Sequence, residues 1–224
     1  ERLGASINVG SSMDRTSVSL SAVTTNLDPS LALLSDVVRN PAFAPAEVER
    51  LRAQRLTSLA NERTQPGGLA GRALPGLLYG ESSPYGRPFN GSGDETVIRA
   101  LTRNDLASEH ATWIRPDNMQ LFVVSDLPLS ELTPKLEAAF GDWRAPSTPK
   151  GTKSFAADIP ATTSRIVLID RPQSPQSLIQ GGFVLPVSGT DDNLTLTTAN
   201  VVLGTDFLSR INADLRETKG WSYG

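Results

Sequence analysis

Thr16-Ser17-Val18-Ser19-Leu20-Ser21-Ala22-Val23, then Asp28-Pro29-Ser30-Leu31-Ala32-Leu33-Leu34-Ser35-Asp36-Val37-Val38 and Asn40-Pro41, changes its apolar period partway along. Val18, Leu20 and Ala22 alternate with Ser17, Ser19 and Ser21, which predicts a strand over 16–23 with one wet or lightly covered face. From Asp28 the apolar residues Leu31, Leu34 and Val38 recur at helical spacing. Asp28-Pro29 offers an N-cap and a first-turn proline, and Asn40-Pro41 stops the helix. A strand feeding an amphipathic helix that packs on the sheet is the building step of an α+β fold.

Working outward, a second helix is expected from Pro45 until Gln65-Pro66-Gly67-Gly68. It carries Val48, Leu51, Leu56 and Leu59 inward and leaves Glu47, Glu49, Arg50, Arg52 and Arg55 as a solvated charged face. Further helices are predicted over 69–78, 102–113 and 129–140, with Gly141 as the C′ residue of the last. Residues 120–124 read as an apolar strand between two of them. The stretch 145–160 is rich in proline, lysine, serine and threonine without periodicity and reads as a linker. Beyond it, strands are expected over 165–169 and 177–185, then helices over 193–203 and 207–218, with Gly220 ending the last. Strands then helices, twice, give the expected fold class: α+β, two repeated units, each with a mainly antiparallel sheet covered by helices on one face. The boundaries are 1–145 for the first unit, 146–160 for the linker and 161–224 for the second unit.

The bulk composition excludes several classes of function. Among 224 residues, 38% are hydrophobic and 20% charged, which describes an ordinary globular chain. A net charge of -3 with interspersed signs offers no basic stripe for a phosphate backbone, so no nucleic-acid partner is expected. The sequence has no cysteine, which removes disulfides, thiol nucleophiles and thiolate metal sites while leaving the compartment open. No apolar run reaches the roughly 18–20 residues of a membrane span, and Glu1-Arg2-Leu3-Gly4 does not look like a signal peptide.

Side-chain chemistry is sparse. The one histidine, His110, lies on the predicted helix 102–113 with no second histidine a turn away, so it reads as structural or solvent-facing. Gly-x-Ser-x-Gly is absent, which argues against a serine hydrolase. Gly67-Gly68, Gly91-Ser92-Gly93 and Gly181-Gly182 lack the spacing and lysine of a phosphate loop and read as turns or bulges, the last within a strand pattern. By residue type alone, Arg216 is a cation near a helix C-terminus and Tyr223 a half-buried strand aromatic.

Several stretches carry a resemblance in consecutive order. They are Asn40-Pro41-Ala42-Phe43, Ser83-Pro84-Tyr85-Gly86-Arg87-Pro88, Leu101-Thr102-Arg103-Asn104-Asp105-Leu106, Trp113-Ile114-Arg115-Pro116-Asp117-Asn118-Met119 and Phe140-Gly141-Asp142-Trp143. Leu203-Gly204-Thr205-Asp206-Phe207-Leu208-Ser209-Arg210-Ile211, with Leu215-Arg216-Glu217-Thr218-Lys219-Gly220-Trp221-Ser222-Tyr223-Gly224, is the most specific of them. Together they resemble the pitrilysin (insulinase) family of zinc metallopeptidases, the last pair resembling the signature of its second repeat unit.

The resemblance implies a LuxS/mitochondrial-processing-peptidase-like metallohydrolase fold. In that family an arginine at the end of this helix and a tyrosine on the following strand help hold the bound peptide, and Arg216 and Tyr223 match those positions. Both are hydrogen-bond donors suited to a peptide carbonyl and to charge developing on it. The family's inverted His-x-x-Glu-His motif would lie upstream of Glu1. Its glutamate ligand on the second helix falls near Ser58, a poor substitute for carboxylate, with Glu62 one turn further on if the alignment slips. The implied function is the non-catalytic half of the peptidase, with no catalytic or metal-binding residue and no cofactor in this chain. Zinc is expected in the partner half, whether fused or separate, and the other partner is a peptide. Both units look truncated, the first at its N-terminal part, and similar two-part peptidases suggest a bacterial periplasm. Two alternatives stay open: a fragment of a catalytic half whose zinc motif lies upstream, and a structural or interaction subunit of the same fold.

Overall fold

The computed structural model describes residues 2–154, 159, 161, 163–185, 187 and 191–224. The chain divides into two compact units, Glu1–Phe183 and Val184–Gly224. Residues 155–158 and 160 of the expected linker lie outside the described residues.

The first unit opens with an antiparallel hairpin of β1 (Ser6–Ser11) and β2 (Thr16–Ser21), in register Ile7↔Leu20 and Val9↔Val18. The serine-apolar alternation puts Val18 and Leu20 on the face that meets α1 (Leu27–Arg39). Leu31, Leu34 and Val38 of that helix form a buried cluster of the unit's core, packed also against Ile114, Phe140 and Trp143. Asp28 is not the N-cap: that position belongs to Asn26, and Asp28 sits in the first turn. There it keeps the favourable charge for a helix N-terminus and pairs with Lys135 at 2.8 Å.

Helix α2 (Pro45–Thr64) is followed directly by α3 (Pro66–Tyr79), so Gly67-Gly68 opens a helix and does not form a turn. On α2, Leu59 is buried at 1% exposure, whereas Leu51, expected inward, is exposed. The charged face also departs from expectation. Arg52 donates to the Leu101 carbonyl at 2.5 Å and Arg55 to the Ser92 carbonyl at 3.1 Å, so two of its arginines grip the backbone of the following segment. Gly91 and Gly93 within that segment hold φ of 65° and 80°, as a glycine-rich turn requires.

A short helix the sequence reading missed, α4 (Glu95–Ala100), is capped by Asp94, which accepts from the amides of Thr96 and Val97. Helices α5 (Arg103–Trp113) and α6 (Leu129–Phe140) follow the prediction closely. Gly141 caps α6 with φ −64°, a right-handed conformation, and so is not the left-handed C′ residue anticipated.

The strands expected over 120–124, 165–169 and 177–185 pair with nothing among the described residues. Phe122, Val124, Ile166, Leu168 and Ile179 are each largely exposed. An apolar run sets a strand's taste for burial, but a ladder forms only where a second backbone lies alongside. Gly181-Gly182 is therefore not inside a strand.

In the second unit, α7 (Leu194–Asn200) runs into a π-helical turn, Val201–Thr205. A single turn, α8 (Arg210–Asn212), continues into a second π-helical stretch, Ala213–Thr218. The fold class is α+β, with one small two-stranded antiparallel sheet among the described residues. No described helix is long and apolar enough to cross a membrane.

Candidate functional site

The second unit brings Arg216 and Tyr223 together through the way its last helical stretch ends. Ser209 starts α8 by accepting from the Asn212 amide. At the other end Gly220 takes φ 63°, its amide bonds the Arg216 carbonyl at 3.1 Å, and the Trp221 amide bonds the Leu215 carbonyl at 2.8 Å. A left-handed glycine closing a helix in this way reverses the chain. The reversal carries Tyr223 back to Arg216, whose guanidinium carbon lies 5.5 Å from the phenol ring centre.

The same guanidinium lies 4.2 Å from the ring centre of Phe207, and its Nε is 3.4 Å from Glu217. Tyr223 is 94% exposed and Trp221 nearly as open, with the Lys219 ammonium 4.9 Å from the indole. Residues 221–224 form no strand, so Tyr223 is an exposed aromatic on an irregular segment. Phe207 was not singled out by the sequence reading. It lies within the most specific motif, but a turn separates it from Arg216 and removes any periodic signal that would pair them.

In the first unit the candidate metal-facing residues are already committed. Ser58 is exposed and turns its hydroxyl back to the Gln54 carbonyl at 3.0 Å. Glu62, largely covered, accepts from Asn90 at 3.0 Å and Ser92 at 3.3 Å and lies 3.7 Å from Arg72. His110 donates from Nε2 to the Val38 carbonyl at 2.8 Å, edge-on to Phe43, and so joins α5 to the last turn of α1 and, through the ring contact, to the α1–α2 connection. Among the described residues no group of three or more His, Asp or Glu side chains is placed to hold a metal ion. A zinc ion would need neutral imidazole and free carboxylate, and these engaged side chains do not fit that requirement.

Residues 100–224 match the family described as the peptidase M16 inactive domain, and residues 1–70 match insulinase (peptidase family M16). Among curated proteins, an uncharacterized zinc protease of Mycobacterium leprae is 24% identical over 227 residues, covering 100% of this chain and 49% of the relative. An uncharacterized zinc protease of Mycobacterium tuberculosis is 25% identical over 228 residues, covering 100% and 50%. The chain thus spans about half the length of the curated relatives it matches. Among solved structures, a peptidase M16 inactive domain from Pseudomonas fluorescens superposes with a TM-score of 0.74 at 22% identity, covering 100% of this chain and 53% of that one. A protease from Helicobacter pylori gives 0.70 at 19%, covering 97% and 52%. The class is that of metallopeptidase-related α+β proteins. Within it, the chain belongs to the peptidase M16, or insulinase, family.

Proposed function

We propose that this chain is the non-catalytic half of an M16 zinc metallopeptidase, closing the substrate chamber and helping to hold peptide for a zinc-bearing half. The observation that carries the reading is the pairing of a half-buried Arg216 with an exposed Tyr223, within the residues that match the inactive-domain description. A guanidinium and a phenol side by side are donors for successive carbonyls of an extended peptide. They also favour charge that develops on a carbonyl oxygen during hydrolysis, without moving a proton themselves. The engaged Glu62 and the hydroxyl at Ser58 support placing the zinc in the other half, fused or separate.

The test is peptide hydrolysis by the complete assembly. Arg216→Ala and Tyr223→Phe are each expected to lower kcat/KM about tenfold, the scale of a hydrogen bond to a charged group, with zinc content unchanged. Wild-type turnover in both variants removes the pair from the mechanism.

A further inference from the structure

Arg216 carries a long, flexible side chain, and a peptide-binding donor is useful only if it is held where the carbonyl will arrive. Tyr223 cannot do the holding: it is 94% exposed, on a segment without regular structure, and its ring centre is 5.5 Å from the guanidinium. Phe207 is nearer, at 4.2 Å, and its backbone is tied in place. Asp206 accepts from the Leu208 amide through its carboxylate at 2.9 Å. Its carbonyl accepts from the Ser209 amide at 3.0 Å and from the Asn212 side chain at 3.1 Å. Phe207 therefore sits in a turn fixed from both sides.

From this arrangement we infer that Phe207 is a positioning residue for peptide binding: its ring, set by the Asp206 turn, holds the Arg216 guanidinium in place. The chemistry suits the task. A ring face attracts a cation without consuming its N–H donors, which lie in the guanidinium plane. Glu217 engages Nε at 3.4 Å, and among the described residues no hydrogen bond takes either Nη atom. Those two groups stay available to a carbonyl. The contact also gives a half-exposed phenylalanine an interaction that solvent would not supply.

The inference rests on the reading of Arg216 as a peptide donor, and the experiment separates the two. In the complete peptidase assembly, hydrolysis of fluorescein-labelled casein peptides is compared for Phe207→Leu, Phe207→Tyr, Arg216→Ala and the double variant Phe207→Leu/Arg216→Ala. Phe207→Leu is expected to lower kcat/KM about three- to fivefold, as an exposed cation–π contact would, and Phe207→Tyr to recover most of that loss. The double variant is expected to match Arg216→Ala alone, because a residue acting through Arg216 has nothing left to act on. Additive losses, or no loss in Phe207→Leu while Arg216→Ala is impaired, overturn the positioning role and leave the donor reading standing. Full activity in Arg216→Ala overturns the donor reading and the inference with it.

Discussion

Arg115 is 3% exposed, an unusual position for a guanidinium, and each of its three nitrogens is hydrogen-bonded. Nε meets Asp117 at 2.6 Å, while Nη1 and Nη2 hold the carbonyls of Thr148 and Pro146 at 2.8 and 3.0 Å. The planar fork thus ties the stretch after α6 to the end of α5. The Arg115 hydrogen bond holds the Asp117 carboxyl below the usual carboxylate range. A carboxyl lowered in the folded state contributes stability above its unfolded pKa, about 4, and that contribution is lost as pH falls through the lower folded value. Asp117→Asn is therefore expected to show a shallower loss of stability below about pH 4, read as urea midpoints across the acid limb. An acid limb identical to that of the unaltered protein would show that the pair carries no linkage. The role of Arg115 was not legible in the sequence, where it appears only as one member of a family landmark. Arg216 and Tyr223 were legible as a pair only through the resemblance, since neither type nor spacing distinguishes them from a helix-end cation and a strand aromatic.

The elements written into local sequence are those whose hydrogen bonds close within the segment. Helix α5 is one, and its start is a reciprocal cap: Thr102 Oγ1 accepts from the Asp105 amide at 3.2 Å, and Asp105 accepts from the Thr102 amide at 2.7 Å. Thr102→Ala is expected to cost about 1 kcal/mol, with faster amide exchange confined to the first turn of α5. Uniform exchange along the helix would assign the cap no local role. Helices α1, α2 and α6 were readable for the same reason, through their local stops: Asn40-Pro41, Gln65-Pro66 and Gly141. Helix α4 has its own signal in Asp94, but six residues are too few for periodicity to register. Residues 120–124, 165–169 and 177–185 show the opposite case. Their apolar content is legible, but strand formation depends on a partner backbone that local sequence does not specify, and none of them is paired among the described residues.

At the scale of the whole molecule, the question is where the metal of an M16 peptidase is held. Glu62 and His110 are the side chains of this chain that a shifted alignment or a lone imidazole would nominate. Both are bound elsewhere: Glu62 by Asn90 and Ser92 beside Arg72, and His110 by the Val38 carbonyl. Drawing either onto a metal would break contacts that fasten the Asn90–Gly93 turn or the last turn of α1, and in the first case would take a hydrogen-bond partner from the buried Ser92. Under the proposed function, an assembly of this chain with a zinc-bearing half is expected to keep its zinc stoichiometry in Glu62→Gln and His110→Asn, while chelation removes zinc and hydrolysis together. Thermal melting of each variant separates loss of fold from loss of metal. If either substitution lowers bound zinc while the protein stays folded, this half supplies a ligand. Its side chains would then have to exchange the partners seen here when the two halves close.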